Sequence, residues 1–174
     1  MKQKIKCLII KSGYYDYLKY SHLFKLYEKF FKPQVAKNAQ REDTFYQSFL
    51  RKCPLIFDIG ANDGHKTEAF LKLADQVVCC EPDERNFSIL KTRFRNRQKN
   101  IKLERVALSS TIGQQGMYIH QTGSAFNTLN PKFKSITEAD DLERWTEKIK
   151  FNSVVKVSTV TLDILIEKYG LPTS

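Results

Sequence analysis

The sequence predicts an α/β fold built on a parallel sheet, preceded by a helical region. Two observations carry that prediction. Short apolar runs at Leu55–Ile59, Gln76–Glu81 and Ile101–Leu108 alternate with stretches of helical periodicity. The first run ends in Asp58 and a loop bracketed by Gly60 and Gly64, and the second ends in Glu81-Pro82. Strand–helix alternation with such short loops is the mark of right-handed βαβ units.

The elements follow in order. Leu23, Leu26, Tyr27 and Phe30 fall at i, i+3, i+4, i+7, which predicts an amphipathic helix ending near Pro33. A second helix is expected from Ala39 to Arg51, burying Phe45 and Phe49 and stopping before Pro54. This aromatic, lysine-studded stretch is expected to cap the sheet; the alternative is a lid or a membrane-surface helix. Strand Leu55–Ile59 then leads to a helix over His65–Leu73, and strand Gln76–Glu81 to a helix over Asp83–Asn96 with Phe87, Leu90 and Phe94 on one face. Strand Ile101–Leu108 closes the alternation. Beyond it, Met117–Gln121 and Val154–Val160 read as strands. A helix is expected over Thr137–Ile149, with Leu142, Trp145 and Ile149 inward. A last helix, Leu162–Tyr169, turns Leu162, Leu165, Ile166 and Tyr169 to one side and stops at Gly170. The division this suggests is a helical region over residues 1–52 and a ligand-binding domain over 53–174.

Composition narrows the class. A chain of 174 residues can bury one real core, and apolar (41%) and charged (28%) shares are those of an ordinary globular domain. No apolar stretch approaches the roughly 20 residues that span a bilayer. The first residues lack the apolar length and cleavage site of a signal peptide, so a cytoplasmic protein is expected. Cys7, Cys53, Cys79 and Cys80 include no Cys-x-x-Cys, so free thiols and no metal site are expected. The net charge of +10 invites a nucleic-acid partner, yet the basic residues are spread. The densest group, Lys91–Lys102, reads as the solvated face of the helix that carries Phe87, Leu90 and Phe94. The reading therefore goes against nucleic acid.

The chemistry lies at the strand tips. Gly60 has no Cβ and lets the chain turn sharply while the backbone approaches a ligand. An acidic residue about twenty positions beyond the loop, here Glu81, is where a ribose diol is held. The spacing Asp-x-Gly-x-x-x-Gly departs from the Gly-x-Gly-x-x-Gly that cradles a diphosphate. An aspartate at that point suits a cationic group such as an ammonium, and S-adenosylmethionine combines an ammonium-bearing tail with a ribose.

Phe57 to Gly64, followed by Glu81-Pro82, resembles the S-adenosylmethionine site of class I methyltransferases, and specifically of the FkbM type. Val106–Ser109 with Gly113, the segment Ser124–Leu129 and the run Val157–Asp163 extend the resemblance in order, from about Phe45 to Pro172. The resemblance implies a Rossmann-like class I methyltransferase sheet, partial, with parallel strands 3-2-1 plus a hairpin. It implies that Asp58, Gly60, Ala61, Asn62 and Gly64 line the methionine end of S-adenosylmethionine. Glu81 would accept from the ribose hydroxyls, Pro82 and Asp83 would shape the adenosine wall, and Ala107 would sit near the adenine. The activity implied is methyl transfer to an oxygen of a small molecule or carbohydrate acceptor.

In the family a strand bearing acidic residues follows Leu171-Pro172, a position beyond Ser174. The expectation is a C-terminally truncated relative with one wall of the crevice missing. Its first strand would be left as an exposed edge prone to self-association. The alternative to an active methyltransferase is an inactive relative that binds cofactor weakly or not at all. A third reading is a basic surface-binding module on the same scaffold. No residue stands out as a catalytic base: His22, His65 and His120 read as structural.

Overall fold

The computed structural model describes residues 30–139 and 148–172, together with positions 21, 24 and 27. Helix α1 spans Pro33–Phe49, followed by strand β1 (Cys53–Ile59), helix α2 (His65–Phe70), strand β2 (Ala74–Cys80) and helix α3 (Glu84–Arg93). Strands β3 (Ile101–Glu104), β4 (Ala107–Leu108) and β5 (Gly113–Ile119) come next, then helix α4 (Pro131–Glu138), strand β6 (Ser153–Val160) and helix α5 (Leu162–Tyr169). The protein is a mixed α/β fold. One parallel sheet has the order β1-β2-β3, and a second sheet has the order β4-β6-β5.

The parallel sheet holds the core because β2 is apolar on both faces. Alternation turns Val77 and Cys79 to one side and Val78 and Cys80 to the other, and all four are fully buried. The first pair joins Ala61, Leu90, Phe94 and Ile101, so α3 covers that face. The second pair joins Leu55 and Leu165, which brings α5 onto the opposite face. Burial pushes the Cys79 and Cys80 thiols up to about 12. At the C-terminal end of β3, Glu104 accepts from Lys168 Nζ at 2.6 Å and from the Tyr169 hydroxyl, which ties α5 to the sheet. Burial pushes the Glu104 carboxyl up, but these two donors outweigh it and hold the group below its ordinary value.

Several expectations are corrected. The run Ile101–Leu108 is two strands, not one: Glu104 still pairs with Cys80 of β2, whereas Ala107 pairs with Thr159 of β6. The chain changes sheets at Arg105-Val106. β5 and β6 are antiparallel, Gly113 opposite Thr159 through Ile119 opposite Ser153, so β5 starts earlier than the predicted Met117. Most of the helix expected at Thr137–Ile149 lies outside the described residues, and an unexpected helix begins at Pro131. Asn130 caps it by accepting from the Lys132 and Phe133 amides at 2.9 and 3.2 Å, and proline suits its first turn. It ends at Glu138, and Ile149 is buried outside any helix. Leu142 and Trp145 lie outside the described residues, as do Cys7, His22, Leu23 and Leu26.

Pro33 starts α1. Phe45 and Phe49 are not buried but 60% and 58% exposed. α1 docks on α2, not on the sheet: Tyr46 stacks edge-on against Phe70, Glu42 pairs with His65 at 2.7 Å, and Asp43 pairs with Lys72. Leu162 of α5 is likewise exposed, while Leu165 is buried. The edge of β1 away from β2 has no strand partner among the described residues, and Ile59 on it is exposed. No described helix is long and apolar enough to cross a membrane.

Candidate functional site

Parallel pairing fixes the site. Asp58 stands opposite Cys79 and Ile59 opposite Cys80, so both strands end at one edge and release their loops side by side. At Gly60 the chain takes φ +72°, and the Gly60 and Ala61 amides both donate to the Cys80 carbonyl, at 2.9 and 3.1 Å. A Cβ at Gly60 would meet no atom within 4 Å, so the backbone conformation and not space calls for glycine there. At Gly64 both demands apply. Its φ is +77°, and a Cβ would fall 2.5 Å from the Phe94 ring and 2.8 Å from Leu90.

Two carboxylates flank this loop, each only 6% exposed. Glu81 Oε2 accepts from the Asn62 amide and Oε1 from the Asp83 amide, both at 2.8 Å. Each oxygen thereby keeps a further lone pair for another donor. Asp58 Oδ2 accepts from Thr67 Oγ1 at 2.5 Å, while Oδ1 takes no hydrogen bond among the described residues. Burial raises the Asp58 carboxyl, partly offset by the Thr67 hydrogen bond and the Lys66 charge. Burial also raises Glu81, opposed by its two backbone donors and reinforced by the Asp83 and Asp58 charges. A cation or a set of hydroxyl donors arriving here would favour both ionised forms.

The facing wall comes from a different part of the chain. Tyr118 and Thr128 pair across a bridge, with Tyr118 donating at 2.8 Å and Thr128 at 3.1 Å, which folds residues 119–127 into a loop. Asp83 anchors that loop. Its Oδ1 caps α3 by accepting from the Arg85 and Asn86 amides, and its Oδ2 accepts from the Gly123 amide and Asn127 Nδ2, both at 3.2 Å. Asn86 Nδ2 adds a bond to the Gly123 carbonyl at 3.3 Å. Between the walls lies a cleft of about 510 Å³. The facing wall stands on the β2 side; beyond β1, where a wall was expected to be missing, the edge has no strand partner among the described residues.

Asp58, Gly60, Ala61, Asn62, Glu81 and Pro82 all line the cleft. Gly64, Asp83 and Ala107 stand behind its surface. Gly64 packs on α3, Asp83 is spent on the capping and loop bonds, and Ala107 is buried in one cluster with Met117 and Val157. Sequence reasoning did not single out Met117, Asn86 and Asn127 as lining residues. The segment Ser124–Leu129, which carries part of the family resemblance, holds Asn127, while nothing in the sequence marks Met117 or Asn86 as lining residues. His65 lies at the cleft, held by Glu42, and His120 Nδ1 bonds the Lys150 carbonyl at 2.8 Å. Among the described residues no group of three or more His, Cys, Asp or Glu is placed to hold a metal ion.

Comparison with known families agrees with this geometry. The methyltransferase FkbM domain matches residues 58–173, about two thirds of the chain, from the first cleft carboxylate through the end of α5. No curated protein and no solved structure matches the chain.

Proposed function

The chain belongs to the FkbM methyltransferase family, and from that premise we propose that its cleft binds S-adenosylmethionine and serves methyl transfer. The observation that carries the reading is the pair of buried carboxylates, Asp58 and Glu81, at adjacent strand tips of one cleft. Their chemistry fits the ligand. Asp58 lines the cleft with one oxygen that takes no hydrogen bond among the described residues, where an ammonium would neutralise its charge. Glu81 is held rigidly by two backbone donors yet keeps lone pairs for ribose hydroxyls. Gly60, Ala61 and Asn62 would lie along the methionine end, with Gly64 holding their loop against α3. Pro82 and Asp83 would shape the adenosine wall, Asp83 by fixing Gly123 and Asn127. Ala107 would support the adenine side through Met117.

When bound, S-adenosylmethionine supplies an activated methyl group on a sulfonium. The chain's own residues have three tasks: to bind, to align an acceptor and to keep water out. The acceptor we favour is a hydroxyl oxygen of a small molecule or a sugar, and the compartment the cytoplasm. We also propose that residues 53–174 form the methyltransferase domain and residues 1–52 a helical region added to it.

Isothermal titration of the full chain with S-adenosylmethionine tests the reading. Saturable binding is expected, weakened at least tenfold in Asp58→Ala and in Glu81→Ala, since each loses a charge-assisted contact. A folded chain that binds no S-adenosylmethionine sinks the proposal.

A further inference from the structure

The region before β1 carries a charge the rest of the chain does not share. Residues 1–52 hold twelve Lys and Arg against four Asp and Glu, a net +8 of the chain's +10. The same 52 residues hold eleven of its twenty-one aromatic side chains. Helix α1 shows how this composition is deployed. Both of its acidic residues, Glu42 and Asp43, are turned to α2, paired with His65 and Lys72 beside the Tyr46–Phe70 contact. Lys37, Arg41, Phe45 and Phe49 follow at intervals of four, so they form one slowly winding ridge on another flank. All four are exposed, and neither Lys37 nor Arg41 has an ion-pair partner among the described residues. Phe30 and Phe31, just before α1, are exposed as well.

An outward ridge of cations and aromatic rings, with its acids withdrawn, has a specific physical complement. Nucleic acid would match the cations but leave the phenylalanines without a use unless bases were splayed onto them. A second copy of this chain would bring like charge against like. An anionic lipid surface matches both features, because phosphate headgroups meet the lysine and arginine while the rings enter the acyl boundary. We propose that the α1 ridge docks the protein on anionic bilayer surfaces. The docking is peripheral, with α1 lying in the interface plane.

Co-sedimentation of the full chain with vesicles tests this. With vesicles of equal parts phosphatidylserine and phosphatidylcholine at low salt, the chain is expected in the pellet. With phosphatidylcholine alone it is expected in the supernatant. The double variant Lys37→Gln/Arg41→Gln should partition about 25-fold less well, about fivefold for each basic group removed near the surface. Phe45→Ser/Phe49→Ser should weaken binding to the anionic vesicles further and leave the residual binding wholly salt-sensitive. These side chains are exposed and lie outside the cleft, so thermal melts and S-adenosylmethionine titrations of both variants should match the parent. Failure of docking is thereby separated from failure of the cofactor reading. The proposal is overturned if the parent stays in the supernatant with anionic vesicles, or if both variants sediment as the parent does. Displacement from vesicles by duplex DNA at equal phosphate would also overturn it, in favour of nucleic acid. So would a dimer in sedimentation velocity that Phe45→Ser/Phe49→Ser dissolves, which would assign the ridge to a second copy.

Discussion

On one side of the cleft Glu81 is fixed by backbone amides of Asn62 and Asp83, and the loop itself is clamped to the Cys80 carbonyl. On the other side Gly123 and Asn127 hang from the side chains of Asp83 and Asn86. The first wall is an extension of the parallel sheet, and its geometry follows from strand register and two left-handed glycines. The second is a surface loop tied down by a few polar contacts. Local opening costs least where side chains, and not a buried ladder, do the holding. The two walls should therefore respond differently to perturbation, the first by unfolding with the core and the second by loosening alone.

The sharpest test is Gly64→Ala. The added methyl meets the Phe94 ring and Leu90 and sits in a left-handed backbone, so we expect a loss of about 3 kcal/mol in urea unfolding, shared by the whole domain. A loss confined to local exchange in residues 60–64 would contradict the picture of a wall continuous with the core.

Asp83→Ala comes next. It removes the cap of α3 and both Oδ2 contacts, for about 2 kcal/mol in all. Hydrogen exchange should rise at residues 123–127 and at the start of α3 while the Gly60 and Ala61 amides stay protected. Equal deprotection on both walls would erase the distinction between them.

pH should separate binding from stability. Asp58 and Glu81 have raised pKa values, so the folded state holds more protons than the unfolded chain between the ordinary carboxylate range and the raised values. Their contribution to stability is thus largest in acid and declines as pH rises through that window. Glu104, lowered by Lys168 and Tyr169, does the opposite: its contribution is present above its unfolded pKa and is lost as pH falls through the folded one. On the proposed reading, S-adenosylmethionine binding needs both cleft carboxylates charged. Its affinity should fall by about tenfold per pH unit for each carboxylate, about a hundredfold per unit below both raised pKa values, before the protein acid-denatures. Titrations at stepped pH check this, and a flat affinity profile through the carboxylate range would refute it.

The smallest expected effect is Gly60→Ala. No atom lies in the way of the methyl, so only the left-handed backbone strain remains, about 1 kcal/mol, measurable as a shift in the urea midpoint.

The same contrast explains what could be read from sequence. The first wall was legible because each part announces itself locally: an apolar run, an acid at its tip, a glycine where φ must be positive. The second wall depends on Asp83 reaching Asn127, forty-four residues away, and nothing about Asn127 or Gly123 marks them as partners of that aspartate. The sheet change at Arg105-Val106 was hidden for a similar reason, since residues 101–108 read as one alternating strand and only the competing partners Cys80 and Thr159 divide it. Asn130-Pro131 was different. It is a local helix-start signal, a capping asparagine followed by proline in the first turn. The aromatic stripe of α1 misled in the other direction. Periodicity shows that residues share a face, and cannot say whether that face meets the core or the solvent.

The adjacent cysteines of β2 have a practical consequence. A thiol reacts as its thiolate, and both groups are sealed and hard to ionise, so neither can be alkylated until the layer above it lifts. Cys79 lies under α3 and Cys80 on the side covered by α5. Followed by mass spectrometry, their alkylation would clock the two sides of the sheet independently within a single molecule. Unequal rates would reveal which helix peels away first.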